Sequence, residues 1–249
     1  MSSKEEKVTF FCEGQKLYAN FGLPRIGAPC ILMSHGFEAN KDGTKWSFLA
    51  PRLAEEGYST FRFSYRGCGR EPEKSEGKFE NTTLTGRIKD YKAALDYLGS
   101  KAIDQGRIGV MGSSFGGEVP IAAKDPRIKA LILLATPSRT ELPAEEQLQA
   151  YKRRGYFRLP SGQRLKMSYF EDIQRYDLCK AMEKLNRPVL IIHGGEDEEV
   201  SVDNAYELYD HAREPKRLDI IQGGEHALHR PEHMARILEL SREWFQRYL

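Results

Sequence analysis

Four cysteines in 249 residues, with no Cys-x-x-Cys pair and no histidine at metal-ligand spacing, are too few and too scattered for a disulfide framework or a zinc site. Cys12, Cys30, Cys68 and Cys179 are therefore expected as reduced thiols, Cys30 in the core and Cys68, in a glycine-rich loop, the one to test for reactivity. Charge of one sign is also missing. The 38 basic and 36 acidic side chains leave a net charge of +2, mixed along most of the chain, and give no footprint for a nucleic-acid partner. No apolar run approaches the roughly 18 residues of a membrane span, and residues 1–7 are polar, so the chain reads as cytoplasmic with no membrane partner. Repeats, low-complexity tracts and a linker that would split off a second independent domain are lacking too. What remains, with 40% hydrophobic residues, is enough chain for one large α/β domain over residues 1–249.

Strand patterns fall at 8–12, 16–21, 30–34, 59–65, 107–111, 130–135, 188–193 and 218–221. Gly14-Gln15 joins the first two as a hairpin, and helical patterns at 46–56, 83–98, 115–123, 202–212 and 231–248 alternate with or follow the later strands. An antiparallel start followed by βαβ units predicts a mostly parallel eight-stranded sheet with helices on both faces. The alternation breaks once, at residues 137–187, after the sixth strand, where the stretch is far longer than one crossover needs. A small hairpin around 160–163 and helical spacing over 169–184 make this insertion a cap subdomain above the strand ends.

The apolar strand 108–111 runs into Gly112-Ser113-Ser114-Phe115-Gly116-Gly117, and a small-residue helix pattern follows. In Gly112-x-Ser114-x-Gly116 the glycines clear a crowded strand-to-helix turn, so that the Ser114 hydroxyl projects from its apex. A serine hydroxyl is a weak nucleophile at neutral pH and needs a base, itself oriented by an acid. After the strand ending at His193 comes Gly194-Gly195-Glu196-Asp197-Glu198-Glu199, and after the strand ending at Ile221 comes Gln222-Gly223-Gly224-Glu225-His226. Both loops leave the carboxyl end of a strand, where parallel sheets place their sites. Asp197 is the favoured acid, with Glu196, Glu198 and Glu199 as competitors; His226 is the favoured base, over His193, His211, His229 and His233. The loop Ser34-His35-Gly36-Phe37 follows an earlier strand. The Phe37 and Phe115 backbone N–H groups are assigned to an oxyanion hole and His35 to bracing the loop.

Together these motifs resemble the α/β-hydrolase superfamily over nearly the whole chain. The segments His35-Gly36-Phe37 with Asn40-Lys41, Arg62 to Gly69, and Glu76 to Thr83, with the short cap, look like its cinnamoyl (feruloyl) esterase and serine-aminopeptidase-like branch. The chain departs from that branch at Tyr65, where Asp is usual, and at Ser113, where His is usual. The resemblance implies a cofactor-independent and metal-independent serine esterase, a carboxylesterase acting on a small-molecule ester, with an aromatic-acyl substrate and a homo-oligomer both open. An aminopeptidase-like amide hydrolase, with Glu141, Glu145 and Glu146 holding a substrate amine, and a ligand-binding protein without activity are the alternatives. Ser114 argues against reactions that need an aspartate nucleophile. The cap is expected to set specificity through Tyr156, Phe157 and Tyr169, beneath a basic face of Lys152, Arg153, Arg154, Arg158, Arg164 and Lys166.

Overall fold

The computed structural model describes residues 5–140 and 142–249. Strands β1 (Glu6–Cys12) and β2 (Gln15–Gly22) pair antiparallel through the two-residue turn Glu13-Gly14, both residues at positive φ (49° and 78°). Such a turn matches the twist of the flanking strands. It also corrects the expected turn by one residue, because Gln15 already pairs with Cys12.

Strands and helices then alternate as β3 (Ala28–Ser34), α1 (Thr44–Glu55), β4 (Ser59–Phe63), α2 (Leu84–Gly99), β5 (Ile103–Ser113), α3 (Phe115–Ala123) and β6 (Ile128–Leu134). The segment that follows carries α4 (Glu145–Arg154), the hairpin β7 (Tyr156–Arg158) and β8 (Arg164–Lys166), α5 (Ser168–Ile173) and α6 (Leu178–Glu183). The chain closes with β9 (Val189–Gly194), α7 (Asp203–His211), β10 (Lys216–Ile221) and α8 (Pro231–Tyr248). Eight strands form one sheet in the order β1-β2-β4-β3-β5-β6-β9-β10, antiparallel at β1/β2 and β2/β4 and parallel at every other pairing.

The near-continuous apolar runs of the central strands divide by alternation. Ile31, Met33, Met111, Ile132, Leu134, Leu190 and Ile192 face one way, against Trp46, Leu49 and Leu53 of α1 and Ile237, Trp244 and Phe245 of α8. Their neighbours Cys30, Leu32, Val110, Leu131, Leu133, Val189 and Ile191 face the other way, against residues of α2, α3, α6 and α7. A two-residue side-chain period thus feeds two cores, and each fully buried aliphatic side chain contributes about 1.5–3 kcal/mol of transfer free energy.

Two features of the insertion differ from the sequence reading. Helix α4 was not foreseen, although its acidic first turn (Glu145, Glu146) and basic last turn (Lys152, Arg153, Arg154) suit a helix dipole, and Gly155 caps it at φ 79°. The expected helix over 169–184 breaks into α5 and α6. The Asp177 side chain caps α6 by accepting the Lys180 N–H, while Asp172 near the end of α5 is held by the Thr85 N–H and hydroxyl at 2.8 and 2.6 Å. Among the described residues no helix is long and apolar enough to cross a membrane.

Candidate active site

Strand β3 is followed in sequence by β4 on one side of it and then by β5 on the other, so the chain reverses direction across the sheet at β3/β5. Loops diverging from such a switch point leave a crevice at the strands' carboxyl ends. The Ser34–Phe37 loop leaves from β3 and Ser114 from β5. Ser114 sits at φ 52°, ψ −131°, a conformation costly for a residue with a Cβ, held by Ser114 N–H to Leu134 O (2.8 Å) and Gly117 N–H to Ser114 O (2.8 Å). Close backbone approach explains the glycines. A Cβ on Gly116 would lie 2.2 Å from the Ser34 carbonyl oxygen, and one on Gly112 would lie 2.5 Å from the Gly117 Cα.

The loops after β9 and β10 press together in the same way. A Cβ on Gly194 would meet Gly224 O at 2.2 Å, and Glu196 N–H donates to that oxygen at 3.0 Å. This brings Asp197 Oδ2 to 2.8 Å from His226 Nδ1, and His226 Nε2 to 3.1 Å from Ser114 Oγ. Asp197 Oδ1 accepts the N–H groups of Glu199 (3.0 Å) and Val200 (2.8 Å), and Oδ2 lies 3.2 Å from His193 Nε2. Burial opposes ionisation of Asp197. The hydrogen bonds from His193, His226 and the Val200 N–H outweigh it and hold the carboxyl well below the usual carboxylate range. An ionised carboxylate only accepts, so Nδ1 of His226 carries the proton and Nε2 is free to accept from the Ser114 hydroxyl. His193 also reaches Val200 O at 2.9 Å and is fully buried, so it braces the Asp197 loop.

Phe115 is the first residue of α3, so its N–H has no acceptor within that helix. The Phe37 loop is held by Arg87, which is 2% exposed and which the sequence reading missed. Its guanidinium donates to His35 O (3.1 Å), Gly36 O (3.0 Å) and Phe37 O (2.6 Å), and lies 4.5 Å from the Tyr65 ring centroid and 4.6 Å from that of Phe115. The signal was present. Arg87 lies on the face of α2 that buries Leu84, Tyr91 and Leu95, at i+3 and i−4 positions that would ordinarily be apolar. His35 Nε2 accepts the Tyr65 N–H (3.1 Å) and Nδ1 lies 2.8 Å from Gly36 O. Burial and the Arg87 charge lower the ring's pKa to about 3, so it stays a neutral brace.

Two cavities meet at Ser114 and share Phe37 and Glu199. The larger, about 1010 Å³, is lined by Lys45, Trp46, Ser113, Leu159, Pro160 and His226; the smaller, about 500 Å³, by Phe115, Glu118, Thr140, Tyr169, Ser201 and Asn204, among others. Of the three expected specificity residues, Tyr169 lines the smaller cavity and packs on Phe37 and Phe115 at 5.3 and 5.8 Å. Tyr156 and Phe157 line neither cavity, a correction: Phe157 packs back on Tyr151 and Phe170, and Tyr156 lies under Arg164. The hairpin faces the cleft with its turn residues Leu159 and Pro160 instead, and Lys152, Arg153, Arg154, Arg158, Arg164 and Lys166 line neither cavity.

Glu145 and Glu146 stand in the first turn of α4, away from both cavities, and Glu141 lies outside the described residues. Ser113 accepts a hydrogen bond from Lys45 Nζ (2.9 Å), and burial lowers Lys45 to about 8 despite the nearby Asp197 and Glu225. Tyr65 is buried and pairs with Ser34 Oγ at 2.6 Å, so it supports the β3 loop from behind. Cys68 is buried and its thiol is pushed up by that burial, which disfavours the reactive thiolate. Among the described residues no group of three or more His, Cys, Asp or Glu side chains is placed to hold a metal ion.

Residues 45–249 match the prolyl oligopeptidase family. YitV of Bacillus subtilis (strain 168), provisionally named an esterase, is 28% identical in a 236-position alignment that covers 89% of each chain. In overall structure the chain is similar to Est1E from Butyrivibrio proteoclasticus, solved with ferulic acid bound (TM-score 0.85, 24% identity, 97% of this chain and 98% of that one). It is likewise similar to mouse alpha/beta hydrolase domain-containing protein 10 (TM-score 0.81, 21% identity, 97% and 99% covered). The fold is that of the α/β-hydrolases.

Proposed function

We propose, on the premise that the chain belongs to the prolyl oligopeptidase family of this fold, that it is a serine esterase acting on small carboxylic esters through an acyl-enzyme. One observation carries the reading: the unbroken run from Asp197 through His226 to Ser114, at 2.8 and 3.1 Å, ending on a strained serine where two cavities meet. Ser114 Oγ attacks the ester carbonyl carbon as its proton passes to His226 Nε2, and Asp197 stabilises the imidazolium. The oxyanion is held by the Phe37 and Phe115 N–H groups. His226 next returns the proton to the departing alkoxide as the carbonyl re-forms. Water, deprotonated by His226, then attacks the acyl-enzyme, releasing the acid and restoring Ser114.

The leaving oxygen must lie beside His226 Nε2, and His226 lines only the larger of the two cavities. The alcohol part of the substrate therefore occupies the 1010 Å³ cavity and the acyl part the 500 Å³ cavity. Volume supports small acyl groups, and Phe37, Phe115 and Tyr169 support an apolar or aromatic one. Amide hydrolysis is the second reading, favoured by the family match. Release of p-nitrophenol from acetate, butyrate and octanoate esters, with an amino-acid p-nitroanilide in parallel, separates the two. Ester turnover that disappears in Ser114→Ala is expected; turnover of the anilide alone would replace the esterase reading.

A further inference from the structure

Glu118 is a carboxyl with no structural partner in a place where one is needed. It lies four residues after Ser114 on α3, one helical turn along, and lines the same 500 Å³ cavity. It is 2% exposed, and its Oε2 is buried without a hydrogen-bond partner. Two of the cavity's other polar side chains, Asn204 and Ser201, are engaged within the protein. Asn204 Oδ1 accepts from Ser138 N–H and Oγ while its amide donates to Ser201 O, and Ser201 Oγ donates to Asp203.

The chemistry of the missing partner follows from what surrounds Glu118. Burial pushes its pKa well above the carboxylate range, and the opposing Arg87 charge does not cancel that push. A neutral carboxyl both donates and accepts, which suits a hydroxyl. A cationic amine would share the pocket with Arg139 and approach the Arg87 charge, while the acidic side chains of Glu198 and Glu199 are both exposed to solvent. The position one turn beyond the nucleophile places the partner a few bonds from the ester carbonyl.

Resting on the esterase reading above, we propose that Glu118 is a specificity-determining residue of the acyl cavity, and that the acyl group it selects is short and carries a hydroxyl, which hydrogen-bonds to the Glu118 carboxyl. The test compares kcat/KM for p-nitrophenyl 3-hydroxybutyrate, butyrate and 3-aminobutyrate within each of the wild type, Glu118→Gln and Glu118→Leu. The wild type is expected to prefer the hydroxyacyl ester over butyrate about tenfold, the discrimination of one good hydrogen bond. Glu118→Gln keeps most of that ratio and Glu118→Leu brings it to about one. A wild-type ratio near one, a ratio unchanged in Glu118→Leu, or preference for the aminoacyl ester would overturn the proposal.

Thermal stabilisation of Ser114→Ala by free 3-hydroxybutyrate against butyrate gives the same ranking without turnover. Equal shifts count against the proposal even if Glu118→Leu does not fold. Labelling by a fluorophosphonate separates the two failures. Labelled Ser114 with butyrate turnover and no hydroxyl preference removes this inference alone, whereas an unlabelled serine and no ester turnover removes the esterase reading.

Discussion

The loops that carry Ser114, Asp197 and His226 and the segment inserted between β6 and β9 both border the same cleft, yet they are built in opposite ways. The first group grows from strands buried on both faces, is packed backbone against backbone at Gly116/Ser34 and Gly194/Gly224, and is braced by buried polar groups such as Arg87 and His193. The second is uneven: α5 and α6 bury Tyr169, Phe170, Ile173, Leu178 and Met182, but its outer part has a helix with no buried residue, two strands of three residues, and a hairpin turn tied to the rest by Glu38, which accepts from Ser161 Oγ and from the Gln163 amide at 3.0 Å. Proton transfer tolerates little positional error, whereas a substrate boundary can be supplied by a surface segment with few anchors. Substitutions should therefore separate the two regions by effect size.

The largest effect is expected at the proposed triad. Asp197→Asn removes the charge that fixes the His226 tautomer and should lower kcat by roughly 10⁴-fold with folding retained. Loss of a few-fold only, in the same ester assay, would mean that another acid serves. Next come two glycines that make the comparison direct. Gly116→Ala drives a Cβ to 2.2 Å from a backbone oxygen and should cost about 3 kcal/mol and most of the activity. Gly155→Ala, at φ 79° with nothing within 4 Å of its Cβ, should cost about 1 kcal/mol and leave kcat unchanged. Urea unfolding with parallel kinetics reads both.

Arg87→Met frees the Phe37 loop. A roughly 10²-fold fall in kcat with KM much less altered is expected, with partial recovery in Arg87→Lys. An equal loss in Arg158→Met, on the solvated face, would erase the distinction between the regions. Ser161→Ala should cost under about 0.5 kcal/mol and raise KM for bulky alcohols two- to threefold at most, by roughly the worth of one exposed hydrogen bond. At Lys45 the readout is stability against pH, its folded pKa of about 8 lying below the usual 10.5. Below pH 8 the folded state bears the cost of a desolvated charge, and stability is regained as pH rises from about 8 to 10.5, because there the unfolded chain binds more protons. Lys45→Met should thus be more stable than wild type at pH 7, with the difference in Tm shrinking across that window.

The same division decides what could be read from the chain alone. The juxtaposition of Ser114, Asp197 and His226 was legible because each follows an apolar strand and is marked by the glycines that its packing requires. Eight strands and helices on both faces of a mostly parallel sheet followed from the β and α periods, whereas the order of the strands across the sheet came from the structure. Groups whose meaning depends on distant partners were not legible: Arg87 binds carbonyls some fifty residues away in sequence, Lys45 reaches Ser113, and Glu118 looks like one more helical glutamate until its burial is known. In the insertion, period alone joined α5 to α6, because the capping of Asp177 and the hold of Thr85 on Asp172 act across that pattern. Aromatic content there also suggested a cleft lining, yet Phe157 is spent on packing the segment to itself.

The most direct test of the account is to trap the acyl-enzyme. Wild-type protein mixed with p-nitrophenyl butyrate and quenched in acid within the first turnovers should carry the mass of one butyryl group, located by peptide mapping to Ser114 and absent from Ser114→Ala. Turnover without any acylated peptide, or a butyryl group on a different side chain, would contradict it.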